Sequence, residues 1–289
     1  MTRTLLALTL VALAGAPSGC RQAPPPVNAR EFPLTGQVLA VKADRTTITV
    51  KHDDVKGFME AMTMDFTVKD AKAVDGLQPG DLISATLVIT DEEGYLKDIR
   101  KTGAAPIPPR APSAAPAVEP LAPGDAVPDL TLTDDDGKPR PISAYRGQFL
   151  LVTFIYTRCP LPDYCPRMNR HFAALQQSIK ANARLGKAVR LLSISFDPDF
   201  DTPATLKAAA GAAGADPAFW RFATAPRDAV DGFGARFGLS VIREGPTGQT
   251  ITHNLRTVLV DRDGRLVKTY NGGDWSPGDV VRDLEGLVK

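Results

Sequence analysis

The chain has 289 residues, 43% of them hydrophobic, and 34 basic against 33 acidic side chains give a formal net charge of +1. That length and apolar content accommodate two small domains, each with its own core. A near-neutral balance gives no electrostatic reason to expect nucleic acid, and no segment beyond the leader is apolar for long enough to cross a bilayer.

Residues 1–19 read as an export signal. Arg3 supplies the positive start, Leu5 to Ala14 form an apolar stretch too short to span, and Ala16-Pro-Ser-Gly-Cys20 is a small-residue cleavage region. Residues 20–30, with Pro24-Pro-Pro26, are a short spacer. Three cysteines leave one over, so removal of Cys20 would leave Cys159 and Cys165 as a pair in an oxidising compartment. A structural disulfide is therefore one reading of that pair. Its loop is so short, however, that closing it gains little chain-entropy stabilisation.

Residues 31–103 read as an all-β unit. Alternating runs predict strands at Leu34–Val41, Thr46–His52, Met62–Val68, Asp81–Thr90 and Tyr95–Lys101, with turns at Ala43-Asp44, Gln78-Pro-Gly-Asp81 and Glu93-Gly94. Five short antiparallel strands suit a small closed barrel of OB-like size. Strand parity places His52 on the inward face with Ile48 and Val50, and puts Met62 and Met64 on one face with Phe66. Met59 lies just upstream. Thioether and imidazole together suit Cu(I) better than hard cations. Methionines at period two are equally readable as barrel packing.

Residues 104–122 are rich in proline and alanine and cannot build a core. They predict an extended spacer reaching about 60 Å, which would raise the effective concentration of one module at the other. From residue 123 to 289 strands and helices alternate. The apolar run Gln148–Tyr156 predicts a buried strand. A helix over Pro166–Ala183 and a strand over Ala188–Phe196 follow. Next come a helix from Thr202 to Ala213, a short strand near Phe219–Ala223 and a helix over Arg227–Phe237. A hairpin of Thr257–Val260 and Leu266–Tyr270 precedes a last helix over Pro277–Val288. A βαβ start with a closing hairpin and terminal helix predicts an α/β thioredoxin-like domain. Cys159-Pro-Leu-Pro-Asp-Tyr-Cys165 sits at the exit of the first of these strands, beside Pro166 at a helix start. Cys165 thus lies near the positive end of the helix, which favours thiolate, the form that binds soft metals and attacks disulfides. His171, between Arg167 and Arg170, reads as part of a solvated helix face.

Three sets of motifs resemble known ones. Ala16-Pro-Ser-Gly-Cys20 resembles a bacterial lipobox, with Pro17 where leucine is usual; this implies a lipid on Cys20 and an anchor on the periplasmic side of a bacterial membrane. Lys51-His-Asp-Asp, Phe58-Met-Glu-Ala-Met-Thr-Met-Asp-Phe66 and Leu77-Gln-Pro-Gly-Asp81 resemble CusF-like periplasmic copper-binding domains. The resemblance implies His52, Met62 and Met64 as ligands. The capping tryptophan of some members is replaced here by Phe58-Met59, so either Met59 is a further ligand or Phe58 is the apolar cap. Phe154-Ile-Tyr-Thr-Arg-Cys-Pro with Cys165-Pro166, Ser193-Ile-Ser-Phe-Asp-Pro-Asp-Phe-Asp-Thr-Pro203 and Thr252-His-Asn-Leu-Arg-Thr-Val-Leu-Val-Asp-Arg-Asp-Gly264 resemble the Sco/SenC family. That resemblance implies a copper site of Cys159, Cys165 and His253, holding Cu(I) or Cu(II). It also implies a role in assembling the dinuclear copper site of a cytochrome c oxidase subunit. Copper delivery and thiol–disulfide exchange through Cys159 and Cys165 both fit that role. The family usually has three residues between its cysteines, and this chain has five. Asp197 and Asp201 read either as helix-start structure or as carboxylates near the metal.

Overall fold

The computed structural model describes residues 28–107, 118–244 and 250–288. The expected leader, Cys20 and most of both expected spacers lie outside the described residues.

The N-terminal strands are β1 (Arg30–Val41), β2 (Thr47–His52), β3 (Met62–Val68), β4 (Asp81–Ile89) and β5 (Gly94–Ala104). They close in the order β1-β2-β3-β5-β4, with β1 pairing both β2 and β4. Inward residues alternate as the parity predicts: Leu34, Val38, Ile48, Val50, Phe66, Ile83, Leu87 and Leu96 fill the interior. Gly36 is required where β1 crosses β2, because a Cβ there would stand 2.6 Å from the Lys51 carbonyl and 2.7 Å from the His52 Cα. β3 meets β5 only at Thr67–Tyr95 and Val68–Leu96, so the first half of β3 has a barrel neighbour on one side alone. β5 runs three residues beyond the expected Lys101, and the Gln37 side chain fixes the chain beyond it by donating to the carbonyl of Ala105 at 2.7 Å.

The second unit is built on β6 (Thr131–Asp134), β7 (Pro139–Pro141), β8 (Phe149–Ile155), β9 (Val189–Ser195), β10 (Trp220–Thr224), β13 (Arg256–Val260) and β14 (Leu266–Asn271). They form one sheet in the order β14-β13-β8-β9-β10-β6-β7. β8, β9 and β10 run parallel, and β13 and β14 add antiparallel strands at one edge. Every residue of β8 is buried, as a central strand covered on both faces requires. The helices are α1 (Cys165–Ala181), α2 (Ala183–Ala188), α3 (Pro203–Ala212), α4 (Arg227–Ala235) and α5 (Pro277–Leu287). α1 packs on β8, β9 and α5, while α3 covers β10 and β6. This is the thioredoxin-like α/β arrangement expected from the alternation.

Three features differ from the sequence reading. The helix expected over Pro166–Ala183 is α1, and a further short helix, α2, follows it unexpectedly, because the Asn182 side chain accepts from the Arg184 and Leu185 amides and starts it. A separate hairpin, β11 (Val241–Glu244) with β12 (Thr250–His253), precedes β13, so His253 ends a strand of its own. His171 is half-buried, its ring packed at 4.6 Å edge-on against Trp275 rather than on a solvated face.

Candidate metal and thiol site

β8 leaves the sheet at Ile155 and the chain enters a loop that returns to α1 at Cys165. Two buried carboxylates hold the start of this loop. Asp201 accepts from the Thr157 amide at 3.0 Å and from the Thr157 and Ser195 hydroxyls. Asp197 accepts from Arg158 Nε at 2.7 Å, and its own amide donates to Ser195 Oγ. The aspartates of the Asp197–Pro203 motif are thus braces for the two residues before Cys159. Sequence order gives no hint of that pairing, because 44 residues separate Thr157 from Asp201.

The donor atoms of Cys159, Cys165 and His253 all lie within 4.8 Å of one another, and both cysteines are free thiols. The five-residue spacer does not prevent convergence: it folds back through a turn in which the Tyr164 amide donates to the Leu161 carbonyl. His253 Nε2 stands 3.6 Å from Cys165 Sγ. The opposite ring nitrogen, Nδ1, lies 3.0 Å from the Asn254 carbonyl. A carbonyl can only accept, so Nδ1 carries a hydrogen, and the other ring nitrogen, Nε2, faces the sulfurs. The rings of Phe196, Tyr156 and Tyr164 box the imidazole at 4.8, 5.6 and 6.0 Å. Burial raises the pKa of both tyrosine hydroxyls, so they remain neutral walls.

The two thiols are driven apart. Desolvation works against ionisation of Cys159, but hydrogen bonding from Cys165 and His253 outweighs it and holds that thiol well below the usual range. Cys165 is pushed well above the range by its burial and by the neighbouring Cys159 sulfur. The pair is thus split, with Cys159 far more readily ionised than Cys165, beside the imidazole Nε2. A soft metal bound at about 2.0–2.3 Å needs ligands spaced about 3.5–4 Å apart, and two sulfurs with one nitrogen at these separations fit it.

The barrel carries the second set. His52 is directly opposite Met62 in the β2–β3 register, and Met64 is opposite Val50, so all three side chains share the inward face. His52, Met64 and Met59 are buried, and Met62 is partly so. Met59 is held by paired backbone contacts with Val55. Phe58 stacks instead on Phe32 at 4.7 Å. His52 Nδ1 lies 2.7 Å from the Asp53 carbonyl, the same anchoring to the next residue that His253 shows.

The two sets face one seam. Thr252 Oγ1, beside His253, donates to the carbonyl of Thr63, which lies between Met62 and Met64, at 2.7 Å. Thr250 donates to Glu60 at 2.7 Å, and the Tyr164 hydroxyl to the Asp65 carbonyl at 3.3 Å. Leu161, in the middle of the cysteine loop, is 6% exposed and packs into the barrel core. Burial of that side chain contributes about 2 kcal/mol. Leu161 and these threonines were not singled out from sequence; the turn-rich Gly245-Pro-Thr-Gly248 after Val241 was the available sign of the β11–β12 hairpin.

Comparison with known proteins agrees with both halves. Residues 119–289 match the family model described as SCO1/SenC. Residues 31–101 match that of the copper binding periplasmic protein CusF. A SCO1 protein homolog of Bacillus subtilis is 29% identical over 158 residues, covering 54% of this chain and 79% of the relative. The crystal structure of a SCO1/SenC family lipoprotein from Bacillus anthracis is 27% identical with a TM-score of 0.50, covering 57% of this chain and 95% of that one. Copper-bound ScoI of Bradyrhizobium japonicum is 25% identical with a TM-score of 0.47, covering 57% of this chain and 99% of that one. With the matched family segment spanning more than half of its length, the chain belongs to the SCO1/SenC family.

Proposed function

We propose that this protein binds copper as cargo and serves as a metallochaperone in assembly of the dinuclear copper site of a cytochrome c oxidase subunit. The observation that carries this reading is the convergence of Cys159, Cys165 and His253 within 4.8 Å beneath an aromatic box. Thiolate sulfur favours Cu(I), and imidazole also tolerates Cu(II). A methionine-rich barrel with a buried histidine adds a second soft site, for which His52, Met62, Met64 and Met59 are the proposed ligands. Export to the periplasmic side of a bacterial membrane and a lipid on Cys20 complete the proposal. Among the described residues no helix is long and apolar enough to cross a membrane.

The opposite displacement of the two thiols favours a second reading. A thiolate at Cys159 with a protonated partner at Cys165 suits a thiol–disulfide reductase that keeps oxidase cysteines reduced. Copper titration of the reduced protein separates the two. A metallochaperone loses one copper equivalent in Cys159→Ser/Cys165→Ser, and His253→Ala weakens retention by about tenfold or more while both thiols stay reactive. Unchanged copper affinity in His253→Ala, with intact reduction of an oxidase-derived dithiol peptide, makes the reductase the function.

A further inference from the structure

The extra length of the cysteine loop has a structural use. Leu161 stands midway between the two cysteines, and its side chain belongs to the barrel core alongside Met59 and Met64 rather than to the core beneath the sheet. Cys159 and Tyr164, on either side of it, pack against both cores at once. On the barrel side the loop packs close to Gly94: a Cβ there would sit in ordinary contact with Leu161 Cδ2 at 3.6 Å and Asp163 Oδ1 at 3.7 Å, so a large side chain at this position would meet the loop. Arg170 clamps the same edge, donating to the carbonyls of Pro162 at 2.9 Å and Glu92 at 3.2 Å. The half of β3 that lacks a second barrel neighbour, Met62 to Asp65, is the part covered by Thr252 and Tyr164. An open strand edge that carries the methionines is thus capped by the residues next to His253 and Cys165.

We propose that the barrel is a docked copper donor for the thioredoxin-like unit, seated by Leu161 so that Cu(I) passes across the seam from the histidine–methionine set to Cys159 without release to solvent. The inference rests on the copper reading above. The step is a ligand exchange: a bond from copper to Cys159 sulfur forms as a bond to methionine sulfur breaks. A Cys159 proton not already lost leaves to water, and copper stays Cu(I) with no electron moved. Thiolate is the stronger ligand for a soft cation than thioether, so the exchange runs from barrel to cysteines. The docked barrel also covers part of Cys159, which slows its reaction with reagents from solvent.

Two measurements on the full chain test this. In the first, the copper-free reduced protein is alkylated with iodoacetamide and the modification of Cys159 is timed by mass spectrometry. Leu161→Asp from the loop side and Gly94→Trp from the barrel side should each speed alkylation by about tenfold, as expected when a protecting contact opens. Rates equal to wild type in both variants overturn the docking. In the second, one equivalent of Cu(I) is supplied as a chelate, and the ultraviolet absorption of the copper–thiolate bond is followed. Met62→Ala/Met64→Ala should reach the wild-type amplitude about tenfold more slowly, because the local concentration of barrel-held copper is lost. Loading at the wild-type rate overturns the donor role and leaves the copper reading standing. Absence of any copper–thiolate band in the wild type overturns both.

Discussion

At the scale of single residues, the chemistry of the thiol site rests on which sulfur carries the charge. Cys159 is the partly exposed member, and its thiolate is favoured by hydrogen bonds from Cys165 and His253 against the cost of desolvation. Cys165 is buried at the start of α1, yet the helix end does not make it the acidic thiol, because its burial and the charge on Cys159 oppose ionisation. The helix starts where its proline and apolar spacing place it, but the thiolate that the helix end favours at Cys165 is outweighed there by burial and by Cys159. A testable consequence is the pH profile of alkylation. Cys159 should react with a midpoint below the ordinary thiol value of about 8.5, since its folded pKa is lowered. His253→Ala removes one of the stabilising hydrogen bonds and should move that midpoint upward. The measurement is the rate of iodoacetamide modification of each cysteine, resolved by peptide mass, between mildly acid and alkaline pH. A Cys159 midpoint that stays put in His253→Ala would mean that the imidazole does not contact the thiolate in solution.

At the scale of elements, what was legible followed from periodicity, and what was hidden followed from pairing across distance. All five barrel strands were readable because inward residues such as Ile48, Val50, Met64 and Phe66 alternate strictly with polar ones. β8 was readable because a seven-residue apolar run has few other homes. The β6–β7 hairpin was not, since Pro139-Arg-Pro141 carries no strand signal and is ordered only by its partner β6. The cysteine, histidine and methionine candidates were all identifiable by type and motif, but the seam that joins them depends on Leu161, an unremarkable residue in one dimension. α1 and α2 show a middle case. Apolar spacing marks α1 to its end, whereas α2 beyond it is started by the Asn182 side chain, which accepts from the Arg184 and Leu185 amides. Asn182→Ala should therefore cost about 1 kcal/mol, the usual value of an N-cap, read as a lowered denaturant midpoint with unchanged slope. An unchanged midpoint would show that α2 is held by its packing through Leu185 alone.

At the scale of the whole molecule, a net charge near zero leaves the pH response of stability to a few buried groups rather than to global repulsion. His171 is the clearest of them. It lies in α1 against Trp275, just before α5, so its ring belongs to the layer that ties the two helices together. Desolvation, then the positive charges of Arg167 and Arg170, lower its pKa to about 4. The unfolded chain binds a proton at this residue near pH 6.5 and the folded chain does not until about pH 4. Between those values the unfolded state holds more protons, so the His171 contribution to stability is full above pH 6.5 and declines as the pH falls toward 4. Because the ring is only half-buried, solvent screening limits the loss to about 1–2 kcal/mol. Asp163 and Asp201 act in the opposite sense, since burial raises their pKa values and their protonation in acid favours the folded state. Total stability therefore cannot isolate the histidine, but a difference can. His171→Gln keeps a polar side chain of similar reach and removes the titration, so unfolding curves of wild type and variant should converge as the pH drops from 7 to about 4.5. Curves that stay parallel across that range would mean that His171 takes up its proton in the folded protein as readily as in the unfolded one, and that the packing against Trp275 opens in solution.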